Sequence, residues 1–125
     1  MGIDIYAKWR GQTESEQQAQ FSAPFSTVVG RFGYLREAYH GEPYATHYLC
    51  AEAFDSEEGE ARIPAATLRE RLEKTLLLAA ERERKLYQSS EEDIADVQQS
   101  YREFVALCER KERETGEPVR IVASY

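Results

Sequence analysis

No stretch of this sequence approaches the ~18 consecutive apolar residues that a membrane-spanning helix needs. The opening MGIDIYAKWRG also lacks a basic segment followed by an apolar one, the pattern that directs export. No membrane partner is therefore expected, and a cytoplasmic location is. Gly2 does not open a convincing myristoylation signal, because Tyr6 stands where Ser or Thr is wanted. Cysteine is equally sparse: Cys50 and Cys108 are the only two, too few for a disulfide framework, so both are expected as reduced thiols. An excess of positive charge is missing as well. The 16 Lys and Arg are outnumbered by 23 Asp and Glu, giving a net charge of -7. The two signs are interleaved, so there is no basic stripe to neutralise phosphates, and nucleic acid is not an expected partner. The mixed runs RERLEK, ERERK and ERKERE read as solvated helix faces.

What the chain does have is ordinary globular material. A hydrophobic fraction of 42% beside 31% charged residues over 125 positions suits one domain with a single core that needs no disulfide or metal to hold it. Ile3, Ile5, Ala7 and Trp9 alternate with Asp4, Tyr6 and Lys8, the period of a strand with one face inward. Thr13 and Glu16 carry the T-x-x-E signature of a helix start, ahead of a polar run that reads as a short peripheral helix or a loop. FSTVVGRFGYL reads either as a bent strand or as a strand leading into a helical turn. GEP at 41–43 is a break, and YATHYLCAEAF after it has the aromatic and Thr content of a strand. DSEEGE then reads as an exposed turn.

The two longest elements are helices. Leu68, Leu72, Leu76, Ala79, Ala80 and Tyr87 recur at helical spacing, with Thr67 and Glu70 as a capping box, so a helix is expected from about 65 to 87. Leu77 and Leu78 broaden its apolar stripe. Ile94, Val97, Tyr101, Phe104, Val105 and Cys108 mark a second helix over about 91–115. Ser90 and Asp93 stand at its start, and Gly116 and Pro118 at its stop. PVRIVASY alternates as a last strand. Strands, a helix hairpin and a returning strand give an α+β fold, a small mixed or antiparallel sheet with two antiparallel helices on one face, and the first and last strands near one another. The consecutive Leu76–Ala80 cover more than one helix face, so a two-fold homodimer is expected through any part left uncovered. The competing outcome is a monomer in which Phe21, Phe25 and Phe32 cover it.

The segments MGIDIYAKW, GYLREAYHGEPYAT, IPAATLRERL and TGEPVRIVASY together resemble small uncharacterised bacterial and phage-associated proteins, over nearly the whole length. The resemblance implies a compact cytoplasmic or mobile-element protein and no particular chemistry.

The stretch YLREAYHGEPYATHYL, residues 34–49, holds four of eight tyrosines and both histidines. As a metal site it is poor. Glu37 and His40 form E-x-x-H, but the long helices carry no histidine to complete a carboxylate-bridged pair of metals, and ligands for a closed zinc site are short. No metal or cofactor is expected. There is no G-x-S-x-G, Walker loop or H-E-x-x-H, and Gly30 with Gly33 lacks the third glycine of a dinucleotide loop. A Cys50 and His47 dyad can be drawn, as can acid/base chemistry on His40, His47 and Glu37. Recognition has more physical content, since tyrosines offer rigid area with a polar tip beside Arg36 and the histidines. The sequence therefore reads as a binding or accessory protein for a protein partner or small ligand, through Tyr34, Arg36, Glu37, Tyr39, His40, Tyr44 and His47. A small hydrolase-like acid/base enzyme is the alternative. Tyrosines that simply pack the sheet and pin the turn before Pro43 are the plain packing reading.

Overall fold

The computed structural model describes residues 2–22, 30–39 and 41–125, with the side chains of Phe21 and Ser22 left aside. His40, Phe21 and Phe25 lie outside what is described, so the expectations placed on those side chains are not taken further. In chain order the elements are β1 (Gly2–Lys8), α1 (Glu14–Ser22), a 3-10 turn (Gly30–Phe32), β2 (Tyr34–Ala38), α2 (Ala45–Leu49), α3 (Ala51–Asp55), β3 (Glu60–Ile63), α4 (Ala65–Leu86), α5 (Glu91–Thr115) and β4 (Val119–Ser124). The strands form one antiparallel sheet in the order β2-β1-β4-β3. The fold is α+β, and β1 lies between β2 and β4, so the first and last strands are neighbours.

Alternation makes the sheet two-faced. Ile3, Ile5, Ala7, Leu35, Val119, Ile121, Ala123 and Ile63 are buried on the face that receives the helices. Asp4, Tyr6, Lys8, Tyr34 and Arg36 belong to the opposite face by the register Asp4↔Arg36 and Tyr6↔Tyr34. The helix hairpin α4–α5 covers the inner face with Leu68, Leu72, Ala79, Tyr101, Phe104 and Cys108 in the core. Ser90 caps α5 by accepting from the Asp93 N–H at 3.1 Å, and Gly116 closes it at φ 78°. Thr13 and Glu16 form the reciprocal capping box of α1, at 2.8 and 3.1 Å.

Two local expectations are corrected. YATHYLCAEAF is not a strand but the two short helices α2 and α3. Its buried residues are Ala45, Thr46, Leu49, Cys50 and Ala53, which repeat at steps of four, so the helical period was present beneath the aromatic content. Of FSTVVGRFGYL the described part, GRFGYL, runs from a 3-10 turn into β2; residues 25–29, where a leading strand would lie, are outside the described residues. The turn expected in DSEEGE is present at 56–59, closed by the Gly59 N–H donating to the Ser56 carbonyl at 3.1 Å, and β3 follows at Glu60, paired with β4. Thr67 and Glu70 do not cap α4: the helix starts earlier, after Pro64, and its Ala65 N–H donates to Glu112 of α5 at 3.1 Å.

Leu76 and Val97, expected in the core, are half-buried and pack at its margin. Leu76→Ala is accordingly expected to lower the unfolding free energy by about 1–2 kcal/mol, less than a fully buried leucine would lose. Urea unfolding measures it, and an unchanged midpoint would place Leu76 in solvent. Of Leu76–Ala80, Ala79 and Ala80 are buried, and Leu77 is 65% exposed. No helix among the described residues is long and apolar enough to cross a membrane.

Candidate functional site

Alternation along β2 divides the predicted residues between two faces. Tyr34 and Arg36 fall on the outer face, where Asp4 joins them. The Tyr34 hydroxyl donates to Asp4 Oδ1, and Arg36 Nη1 donates to the same oxygen at 2.7 Å. Burial, with the hydrogen bond to Asp4, pushes the Tyr34 phenol well above its ordinary range, so this hydroxyl is a structural donor and no proton shuttle. Hydrogen bonds with Tyr34 and Asp4 raise Arg36 further.

Glu37 points the other way, into the inner face, and is buried. One carboxylate oxygen, Oε1, accepts from the Thr46 N–H at 3.0 Å and from Thr46 Oγ1 at 2.6 Å. The other, Oε2, accepts from the Ala45 N–H at 2.9 Å and faces Arg82 Nε at 2.9 Å. A carboxylate offers about four acceptor directions, and all are taken. Glu37 therefore serves as the N-cap that α2 lacks in its own sequence, since Tyr44 at the cap position contributes no side-chain bond.

Arg82 was not legible as a site residue: the run ERERK reads as solvated, yet the Arg82 side chain is 9% exposed. Its guanidinium fixes the loop after β2 by donating to the carbonyls of Ala38 (3.1 Å), Gly41 (2.5 Å) and Pro43 (3.0 Å). It also lies 4.8 Å from the centre of the Tyr44 ring. The Tyr44 ring meets Tyr39 edge-on at 6.4 Å, and its hydroxyl accepts from the Gly41 N–H at 3.3 Å. Leu68, Leu72, Thr75, Ala79 and Arg82, five of the seven buried positions of α4, follow at alternating steps of four and three. That spacing was the signal that Arg82 belonged inside.

His47 is exposed on α2, with its ring edge-on to Phe54 at 4.9 Å. Cys50 is fully buried, and burial pushes its thiol up, so a thiolate for nucleophilic attack is disfavoured there. Glu37 is occupied, His47 sits at the surface and Cys50 is in the core. These three residues do not make an acid/base or nucleophilic constellation. No cluster of ligating side chains suited to a metal ion occurs among the described residues.

The concave surface lies beside this node. A groove of about 550 Å³ runs along β2, with Leu35, Arg36, Glu37 and Ala38 as one wall. The opposite wall is the turn end of the helix hairpin: Ala79, Arg82 and Glu83 of α4, Tyr87 and Ser89 of the turn, and Asp93, Asp96, Val97, Ser100 and Tyr101 of α5. Of the predicted residues, Arg36 and Glu37 reach this groove. Tyr39 and Tyr44 belong to the loop pinned by Arg82, Tyr34 is buried on the outer face, and His47 is on α2. No protein-family model, curated protein or solved structure matches this chain.

Proposed function

We propose that this chain is a binding or accessory protein whose site is the groove between β2 and the turn end of the α4–α5 hairpin. One observation carries the reading. Four consecutive residues of an edge strand line a concavity of about 550 Å³, a size in the range of ligand-binding clefts, and its ionic groups are already organised. The Glu37–Arg82 pair gives it a rigid wall, and Leu35, Ala79, Val97 and Tyr101 supply apolar surface. The Tyr39–Tyr44 loop flanks it, so recognition draws on the tyrosine-rich segment through support as well as contact.

A small acid/base enzyme is the weaker reading, because Glu37 has no free acceptor direction for a proton. The test is amide NMR with a mixture of fragment-sized molecules and short peptides. Ligand-induced shifts are expected to gather on Leu35–Ala38, Ala79 and Val97, and to vanish in Val97→Arg, which fills the groove from a half-buried position. Shifts scattered elsewhere, or surviving Val97→Arg, would remove the groove from this account.

A further inference from the structure

We infer that the occupant of this groove is an extended polypeptide segment rich in Lys or Arg, which pairs with β2 as a fifth strand of the sheet. The inference rests on the groove reading above and adds the chemistry of the partner.

The first support is the backbone of β2. Among the described residues no strand pairs with its outer edge. The Ala7 N–H donates to the Gly33 carbonyl at 2.8 Å, which sets the phase of the ladder. In an antiparallel pair, bonded and non-bonded residues alternate. With the register Ile5↔Leu35 and Ile3↔Glu37, residues 33, 35 and 37 turn their N–H and C=O towards β1. Tyr34, Arg36 and Ala38 turn theirs outward; Tyr34 is fully buried, so the open part of the edge is Arg36 with the Ala38 N–H. The Ala38 carbonyl confirms the phase, since it is met from outside by Arg82 Nη2 at 3.1 Å. Arg36 is the middle of this outward set, and it lies in the groove wall. An edge of this kind is a template for another strand.

The second support is charge. Arg36 is neutralised by Asp4 at 2.7 Å, and Arg82 by Glu37 at 2.9 Å. The remaining charged residues of the lining are Glu83, Asp93 and Asp96, and no ion pair among the described residues engages them. Asp93 in part answers the positive end of the α5 dipole, and Glu83 accepts from the Ser89 hydroxyl at 2.6 Å, but no cation among the described residues offsets either Glu83 or Asp96. The groove thus presents surplus negative charge on a chain whose net charge is already -7, and a cationic partner is steered to it. An apolar body alone would leave these carboxylates uncompensated, and a single small cation would leave the outward N–H and C=O of Arg36 without a strand partner among the described residues. An extended basic segment satisfies both.

The experiment is selection of binders from a random twelve-residue peptide library on the full chain, followed by synthesis of the selected peptides. Selected sequences are expected to be enriched in Lys and Arg. Backbone N-methylation of one set of alternate residues should abolish binding while the other set tolerates it, because only one edge of a strand faces β2. Asp93→Lys/Asp96→Lys should weaken binding about tenfold and more steeply at low salt. Selection of peptides without basic enrichment, N-methylation that acts equally at both sets, or no selected peptide at all would overturn the inference. Val97→Arg separates the two levels. Peptides that still bind this blocked variant overturn the groove itself, whereas non-basic binders lost in Val97→Arg overturn only the partner chemistry.

Discussion

Arg82→Met is expected to lower the unfolding free energy by about 3–5 kcal/mol, the range for a buried ion pair that loses one partner. Both side chains of the pair are less than one-tenth exposed, at 9% for Arg82 and 8% for Glu37, so solvent offers little to replace the contact. The substitution leaves Glu37 charged in the core and removes the donors that hold the carbonyls of Ala38, Gly41 and Pro43. Replacing both members by apolar residues often restores stability where a pair is only a pair. Here it should not. Glu37→Leu/Arg82→Met also strips the acceptors from the Ala45 and Thr46 N–H groups and from Thr46 Oγ1, and each buried donor left without a partner costs roughly 1–3 kcal/mol. Urea unfolding of the two variants measures this. A double variant as stable as the parent would show that Glu37 does not cap α2.

The same node explains why the sequence disclosed its surroundings unevenly. Ile3-Ile5-Ala7 and Val119-Ile121-Ala123 each declare a strand by alternation alone, and the leucine and aromatic stripes of α4 and α5 declare helices, because in those segments the local period and the buried face coincide. In residues 45–55 the feature that stabilises a helix is a carboxylate eight residues before the first N–H it serves, on a different element. Nothing inside YATHYLCAEAF carries it, and aromatic and Thr content pointed to a strand instead. The capping box of α4 fails as a sequence reading for a related reason, although the start near residue 65 does not: the Ala65 N–H finds its acceptor, Glu112, 47 residues away on α5. β3 is only four residues long, with Ile63 its single fully buried member, too few positions for alternation to show.

The candidate site divides along the same line. Arg36 and Glu37 could be singled out by residue type, but their opposite faces follow only from the strand that contains them. The acidic wall was hidden in plain view, since Asp93 reads as dipole compensation for α5 and Glu83 as one charge in a solvated run. Their meeting with β2 depends on the hairpin folding back across the sheet. Tertiary structure, and no local motif, assembles this groove.

Gly30→Ala carries the other large expected effect. Gly30 opens the 3-10 turn that rests on the middle of α5, and its N–H donates to Ser100 Oγ at 3.1 Å. A Cβ placed there would stand 1.7 Å from the Ser100 carbonyl oxygen and 2.9 Å from the Phe104 nitrogen. Both are backbone atoms of a 25-residue helix, so no rotamer change relieves the overlap. Either the turn lifts from α5 or the helix bends. The cost should therefore exceed the about 1–3 kcal/mol of ordinary overpacking, and the melting temperature should fall by about 10 °C or more. Ser100→Ala in the same chain should bring no rescue, because the obstacle is the carbonyl and not the hydroxyl. Gly116→Ala is the contrasting case: its φ of 78° is strained for alanine, yet a Cβ there meets nothing within 4 Å, so the loss should stay within the about 1–3 kcal/mol that such backbone strain costs. Thermal unfolding of the three variants ranks them. If Gly30→Ala melts no lower than Gly116→Ala, the turn does not sit against α5 at Ser100, and the path by which the chain enters β2 must be redrawn.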